Sequence, residues 1–97
     1  MDLQLRNRPD TVVIIAAWNQ LEKTIECLRS FWGSDEERFD VLLVDNGSDP
    51  PIGPQLLEQF PELQILRSEK NLGFSAGYNV GIREVLRAGY TYQFILN

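Results

Sequence analysis

Histidine is missing altogether from the 97 residues, and cysteine occurs once, at Cys27. Without histidine, Ser-His-Asp and Cys-His catalysis are excluded, leaving carboxylates, amides, hydroxyls and backbone groups as the available chemistry. One thiol permits neither an intrachain disulfide nor a cysteine-based zinc site. It points by default to a reduced, cytoplasmic compartment, or to the cytoplasmic face of a membrane in a longer parent. Long apolar runs are also missing. Val12–Trp18 is the longest, well short of the ~20 residues of a membrane span. The polar extension Met1–Asp10, with Pro9, lacks the apolar stretch of a signal peptide. Positive charge is scarce: nine Lys and Arg face fourteen Asp and Glu, a net charge of −5. That excludes a general nucleic-acid surface, which needs clustered cations, but not a small phosphate site built from backbone N–H groups.

What is present suits a small folded domain. Hydrophobic residues make up 43% and aromatics 10% of the chain, ordinary values for a globular core. Near-continuous apolar runs at Thr11–Ala17, Phe39–Val44 and Leu63–Leu66 fit parallel strands covered on both faces. A fourth run, Tyr90–Leu96, is rich in aromatics. Between them the spacing predicts helices. Asn19–Phe31 turns Leu21, Ile25 and Leu28 to one side, with Asn19 as N-cap and Glu22 in capping-box position. Pro54–Phe60 turns Leu56, Leu57 and Phe60 inward, and Ser75–Ala88 does the same with Tyr78, Ile82, Val85 and Leu86 before Gly89 ends it. The order β-α-β-α-β-α-β over residues 11–97 predicts one α/β subdomain, an open, mostly parallel, Rossmann-like sheet of about four strands with flanking helices. In such sheets ligands sit beyond the carboxyl ends of the strands.

The segments at those ends carry the unusual residues. The first strand ends in Ala16-Ala17-Trp18-Asn19. Trp18 can stack on a heterocycle or simply pack over the first helix. The second ends in Asp45-Asn46-Gly47-Ser48-Asp49. There a carboxylate can accept from a pyrimidine N–H and an amide can reach ring or ribose, although Asn-Gly is also ordinary turn chemistry. The third segment is Asn71-Leu72-Gly73, followed by a helix with Gly77 and Gly81 one turn apart and Asn79 among apolar inward positions. Two helical glycines cost about 1 kcal/mol each relative to alanine, which implies a close approach to the sheet or to a ligand. Lys70 is the cation beside this loop.

Together, W-N, V-D-N-G-S-D, N-L-G-F-S-A-G-Y-N-V-G-I and Y-x-F-I-L-N resemble the N-terminal half of family 2-type glycosyltransferases of GT-A fold, over about residues 10–97. The F-S-A-G-Y-N variant is most similar to the rhamnosyltransferase-like branch. In that family the first strand commonly ends in Pro-Thr-Tyr-Asn; Trp18 and Asn19 match its last two positions, while Ala16 and Ala17 depart from the first two. The family's base-reading acid falls on Asp45, and its Asn-x-Gly loop and helical amide fall on Asn71, Gly73 and Asn79. Leu72 stands where members often carry a base. The resemblance implies a nucleotide site of Ala16, Trp18, Asn19, Asp45, Asn46, Gly47, Ser48, Asn71, Gly73 and Asn79. It further implies a UDP- or dTDP-sugar donor, a saccharide or lipid-linked saccharide acceptor, inversion at the sugar, and Mg²⁺ or Mn²⁺ on an Asp-x-Asp motif expected just after Asn97. No catalytic or metal residue is then expected within this segment, and the isolated chain should bind nucleotide without catalysing transfer.

Other readings fare less well. A dinucleotide-binding domain needs G-x-G-x-x-G after the first strand, where A-A-W-N-Q stands. A phospho-receiver module needs acids at the end of that strand beside Asp45, and none is there. A truncated, non-catalytic α/β module that binds nucleotide, or self-associates through an open sheet edge, is the remaining alternative.

Overall fold

The computed structural model describes residues 10–32 and 39–96, so the polar extension apart from Asp10, and Asn97 with the acids expected after it, lie outside the described residues. The elements follow the order β1 (Thr11–Ala17), α1 (Leu21–Trp32), β2 (Asp40–Asn46), α2 (Gly53–Gln59), β3 (Gln64–Ser68), α3 (Phe74–Ala88) and β4 (Tyr92–Leu96). All four strands pair in parallel, in the spatial order β3-β2-β1-β4. The α/β, Rossmann-like arrangement expected from the alternating runs is the one observed.

The boundaries move for identifiable reasons. Strand β2 runs two residues past Val44 because Asp45 pairs with Arg67, and Asn46 with Ser68, across the β2–β3 ladder. Strand β4 starts at Tyr92, since Tyr90 is taken up in closing α3: its N–H reaches the Val85 carbonyl and its hydroxyl donates to the Asp40 carboxylate. Asp10 anchors the start of β4, its carbonyl accepting from the N–H groups of Thr91 and Tyr92.

The sheet is covered on both sides, which is why its central strands read as continuous apolar runs. Helices α1 and α2 cover one face, where Ile25, Leu28, Leu56 and Phe60 pack on Val13, Ile15, Val41 and Leu43. Helix α3 covers the other, with Tyr78 and Val85 on Val12, Ile14, Leu42 and Val44. Two leucines expected inward are not: Leu57 is 42% and Leu86 62% exposed. Each follows a truly buried neighbour, Leu56 or Val85, and one residue of helix rotates a side chain by about 100°. The inward line of α3 is instead Gly77, Tyr78, Gly81 and Val85. A methyl group on Gly81 would lie 3.0 Å from both Ile14 Cγ2 and Val44 Cγ2, so the glycine lets the helix axis close onto the sheet. No described helix is long and apolar enough to cross a membrane.

Candidate functional site

Strand order reverses beside β1. The chain steps from β1 to β2 to β3 in one direction with its helices on one face, then α3 crosses the opposite face and delivers β4 to the other side of β1. A crevice opens at such a point, beyond the carboxyl ends of the strands. Here an open cleft of about 310 Å³ lies between Trp18, Phe74 and the α1 residues Lys23, Thr24 and Cys27, floored by Ile15, Ala16 and Ala17. Trp18 is 46% exposed, so it is not packed away over α1. Burial pushes the Cys27 thiol pKa up, which keeps the group protonated and uncharged in the cleft wall.

The loops around this crevice are tied to one another. Asn19 and Gln20 both adopt left-handed backbone conformations, at φ 56° and 55°, a region asparagine tolerates better than most residues. This turn removes Asn19 from the capping role expected of it, and α1 begins only at Leu21. Asn19 instead straps the first loop to the second. Its N–H donates to Ser48 Oγ at 2.7 Å, and its side-chain oxygen accepts from the Asp49 N–H at 3.0 Å.

Asp45 and Asn46, expected to face a base, are 1% and 2% exposed and bonded inward. Asp45 accepts from the N–H groups of Ser48 and Ile52, at 3.0 and 3.3 Å, and from the Arg67 guanidinium at 2.8 Å. Both oxygens are thereby engaged, and the carboxylate fixes the turn that follows β2. Asn46 fixes the Asn71–Gly73 loop. Its Nδ2 donates to Asn71 Oδ1 at 3.1 Å and to the Gly73 carbonyl at 3.0 Å, while its Oδ1 accepts from the Leu72 N–H at 2.9 Å. Asn71 Oδ1 also accepts from the Gly73 N–H.

Gly47, at φ 79°, is pressed against the same loop. A Cβ there would lie 2.4 Å from the Asn71 nitrogen and 2.5 Å from the Lys70 carbonyl carbon, a contact only glycine permits. Ser48 is fully buried beneath these turns. Asn79, expected inward, is exposed on α3, because the glycine stripe takes the inward line. Lys70 is exposed, with its carbonyl accepting from Ser68 Oγ.

The fold therefore brings Ala16, Trp18, Asn19, Asp45, Asn46, Gly47, Ser48, Asn71 and Gly73 to one end of the sheet, while Asn79 lies exposed on α3. Sequence reasoning passed over Arg67 and Phe74. Arg67 was detectable: a cation in a short apolar strand has reason to seek an acid, and parallel register places it across from Asp45. Among the described residues no three Asp, Glu or Cys side chains gather in a way that could hold a metal ion, so these residues do not by themselves fit the divalent ion expected from the resemblance.

Comparison with known proteins places this geometry in context. The chain matches the family described as Glycosyl transferase family 2 over residues 12–90. No curated protein matches it. Among solved structures, a mannosyltransferase from Pyrobaculum calidifontis, in complex with GDP-Man and Mn²⁺, is similar with a TM-score of 0.65 at 22% identity. The similarity covers 80% of this chain and 25% of that one, so this chain spans about a quarter of that enzyme's length. At that identity the likeness speaks for the fold, a GT-A-like parallel sheet, while the family match extends over most of the chain, from the first buried residue of β1 to the end of α3. The chain belongs to glycosyl transferase family 2.

Proposed function

We propose that this chain is the nucleotide-recognising half of a glycosyltransferase that moves a sugar from a nucleoside-diphosphate sugar to an acceptor. The observation that carries the reading is Trp18. An aromatic ring 46% exposed stands at the carboxyl end of the central strand, on the rim of a cleft at the strand-order reversal. A ring so placed can stack on a base, a contact worth about 1–3 kcal/mol. Asn19, Ser48, Asp45, Asn46, Gly47, Asn71 and Gly73 hold the surrounding loops in shape. The UDP- or dTDP-sugar donor, the saccharide or lipid-linked acceptor, the rhamnosyltransferase-like branch and a cytoplasmic location are the finer parts of the proposal. The neighbour's Mn²⁺ supports a divalent ion in the family. Its ligands would have to come from outside the described residues, and no step is derived through it.

Titration of UDP, dTDP and GDP into isotopically labelled protein, with and without Mn²⁺, tests the site. The largest amide shifts are expected at residues 16–19 and 45–48. Shifts scattered elsewhere with all three nucleotides would overturn the assignment.

A second reading, self-association, is favoured by β4. Tyr92, Phe94 and Ile95 are 60%, 58% and 49% exposed on an edge strand without charge. Tyr92 and Phe94 share one face of the strand and Ile95 takes the other, so the apolar area on either face stays well under the ~800 Å² per partner of a standard interface. A second copy pairing β4 with β4 brings no like charges together, and a weak dimer is expected. Sedimentation showing a monomer at millimolar concentration would exclude it.

A further inference from the structure

Phe74 is 67% exposed, the most exposed large apolar side chain among the described residues. It is the first residue of a fifteen-residue helix that buries its other apolar face well. Nothing in the packing of α3 calls for an aromatic ring at that position. Yet Phe74 lines the same cleft as Trp18, together with Ile15, Ala16 and Ala17 of β1.

The backbone that presents this ring is fixed. Asn46 accepts from the Leu72 N–H and donates to the Gly73 carbonyl. That carbonyl also receives the Gly77 N–H, the first hydrogen bond of α3. The Cα of Phe74 is thus held from both sides before any ligand arrives. Lys23, on α1, is the one cation lining the cleft among the described residues.

We propose that Phe74 is the second aromatic wall of the ligand cleft. It contacts the flat heterocycle of the nucleotide whose other side meets Trp18, and Lys23 stands toward the anionic part of the same molecule. This rests on the nucleotide-binding reading above and adds a specificity residue to it. Two aromatic side chains on one cleft select planar rings, because every base has a π-face and a bare sugar phosphate has none.

The test compares the intact chain with Phe74→Ala, Phe74→Leu and Phe74→Trp by calorimetric titration of UDP, dTDP, GDP and ribose 5-phosphate. For the nucleotide that the unaltered chain binds best, Phe74→Ala is expected to weaken binding about ten-fold. Phe74→Leu should weaken it less, and Phe74→Trp should preserve it. Ribose 5-phosphate should bind all four proteins alike. Because the ring is largely exposed, thermal unfolding of Phe74→Ala should match that of the unaltered chain, which separates lost contact from lost fold. Unchanged nucleotide affinity in Phe74→Ala, or an equal loss for ribose 5-phosphate, overturns the role of Phe74 while leaving the nucleotide site standing. Failure of the unaltered chain to bind any of the three nucleotides overturns both.

Discussion

The side-chain amide of Asn46 lies 3.0 Å from the carbonyl oxygen of Gly73, joining the end of β2 to the entrance of α3 across twenty-seven residues of chain. With its bonds to Asn71 and Leu72, it is the largest polar tie between the two loops. Replacing it by alanine strands the Leu72 N–H and removes two further bonds at a buried site. The expected cost is about 2–3 kcal/mol in urea unfolding. Faster amide exchange at Leu72 should accompany it. Full protection of that amide in Asn46→Ala would show that the loop is held by other means.

Gly81 offers a test of how tightly α3 is seated. Alanine normally stabilises a helix interior by about 1 kcal/mol over glycine. Here the added methyl would meet Ile14 and Val44 at 3.0 Å, two branched side chains fully enclosed in the core. Overpacking of this kind costs about 1–3 kcal/mol, so Gly81→Ala should lower the unfolding free energy by a net ~1 kcal/mol, and the midpoint with it. A raised midpoint would mean that the helix can lift off the sheet at little cost.

The pair formed by Asp45 and Arg67 is asymmetric. The Asp45 side chain is 1% exposed and the Arg67 side chain 29%. Removing the acid leaves two N–H groups and a cation without their acceptor, and Asp45→Ala should cost about 3 kcal/mol. Removing the partly solvated base leaves Asp45 its two backbone donors, so Arg67→Ala should cost only about 1 kcal/mol. A double-mutant cycle should return a clear coupling between the two. Strict additivity would show the ion pair to be incidental.

Cys27 stands half-buried in the cleft wall. Burial raises the pKa of its thiol, and only the thiolate is alkylated. The pH–rate profile for iodoacetamide should therefore lie on the alkaline side of the profile for the urea-unfolded chain. Near pH 8 the folded protein should react more slowly. Since the residue lines the cleft, saturating nucleotide should slow the reaction again. Coincident folded and unfolded profiles would show that the thiol is solvated.

The sheet was legible in the sequence because parallel strands buried on both faces leave unbroken apolar runs, and Thr11–Ala17 needed no correction at all. Helix faces were less legible. Leu57 and Leu86 look like core residues, but the inward line of a helix is set by its closest contacts, and in α3 glycines make those contacts. The candidate residues were identifiable by their position at strand ends. What each side chain does there was not. Asp45 and Asn46 resemble ligand-facing groups in a linear reading, whereas their partners Arg67, Leu72 and Gly73 lie more than twenty residues away and come into reach only through the β2–β3 pairing. Asn19 likewise has the sequence signature of a cap, and its strap to Ser48 and Asp49 depends on two loops meeting in space.

Those straps have an entropic consequence. The loops after β1, β2 and β3 are bonded to one another through Asn19, Ser48 and Asn46, with Gly47 pressed against the Lys70–Asn71 backbone, so they cannot fray independently. The cost of ordering them is met when the chain folds, and a ligand arriving at the rim has little backbone freedom left to remove. Binding should then proceed with the rim already in register, and the three loops should lose their order together, as one cooperative unit, when the chain unfolds.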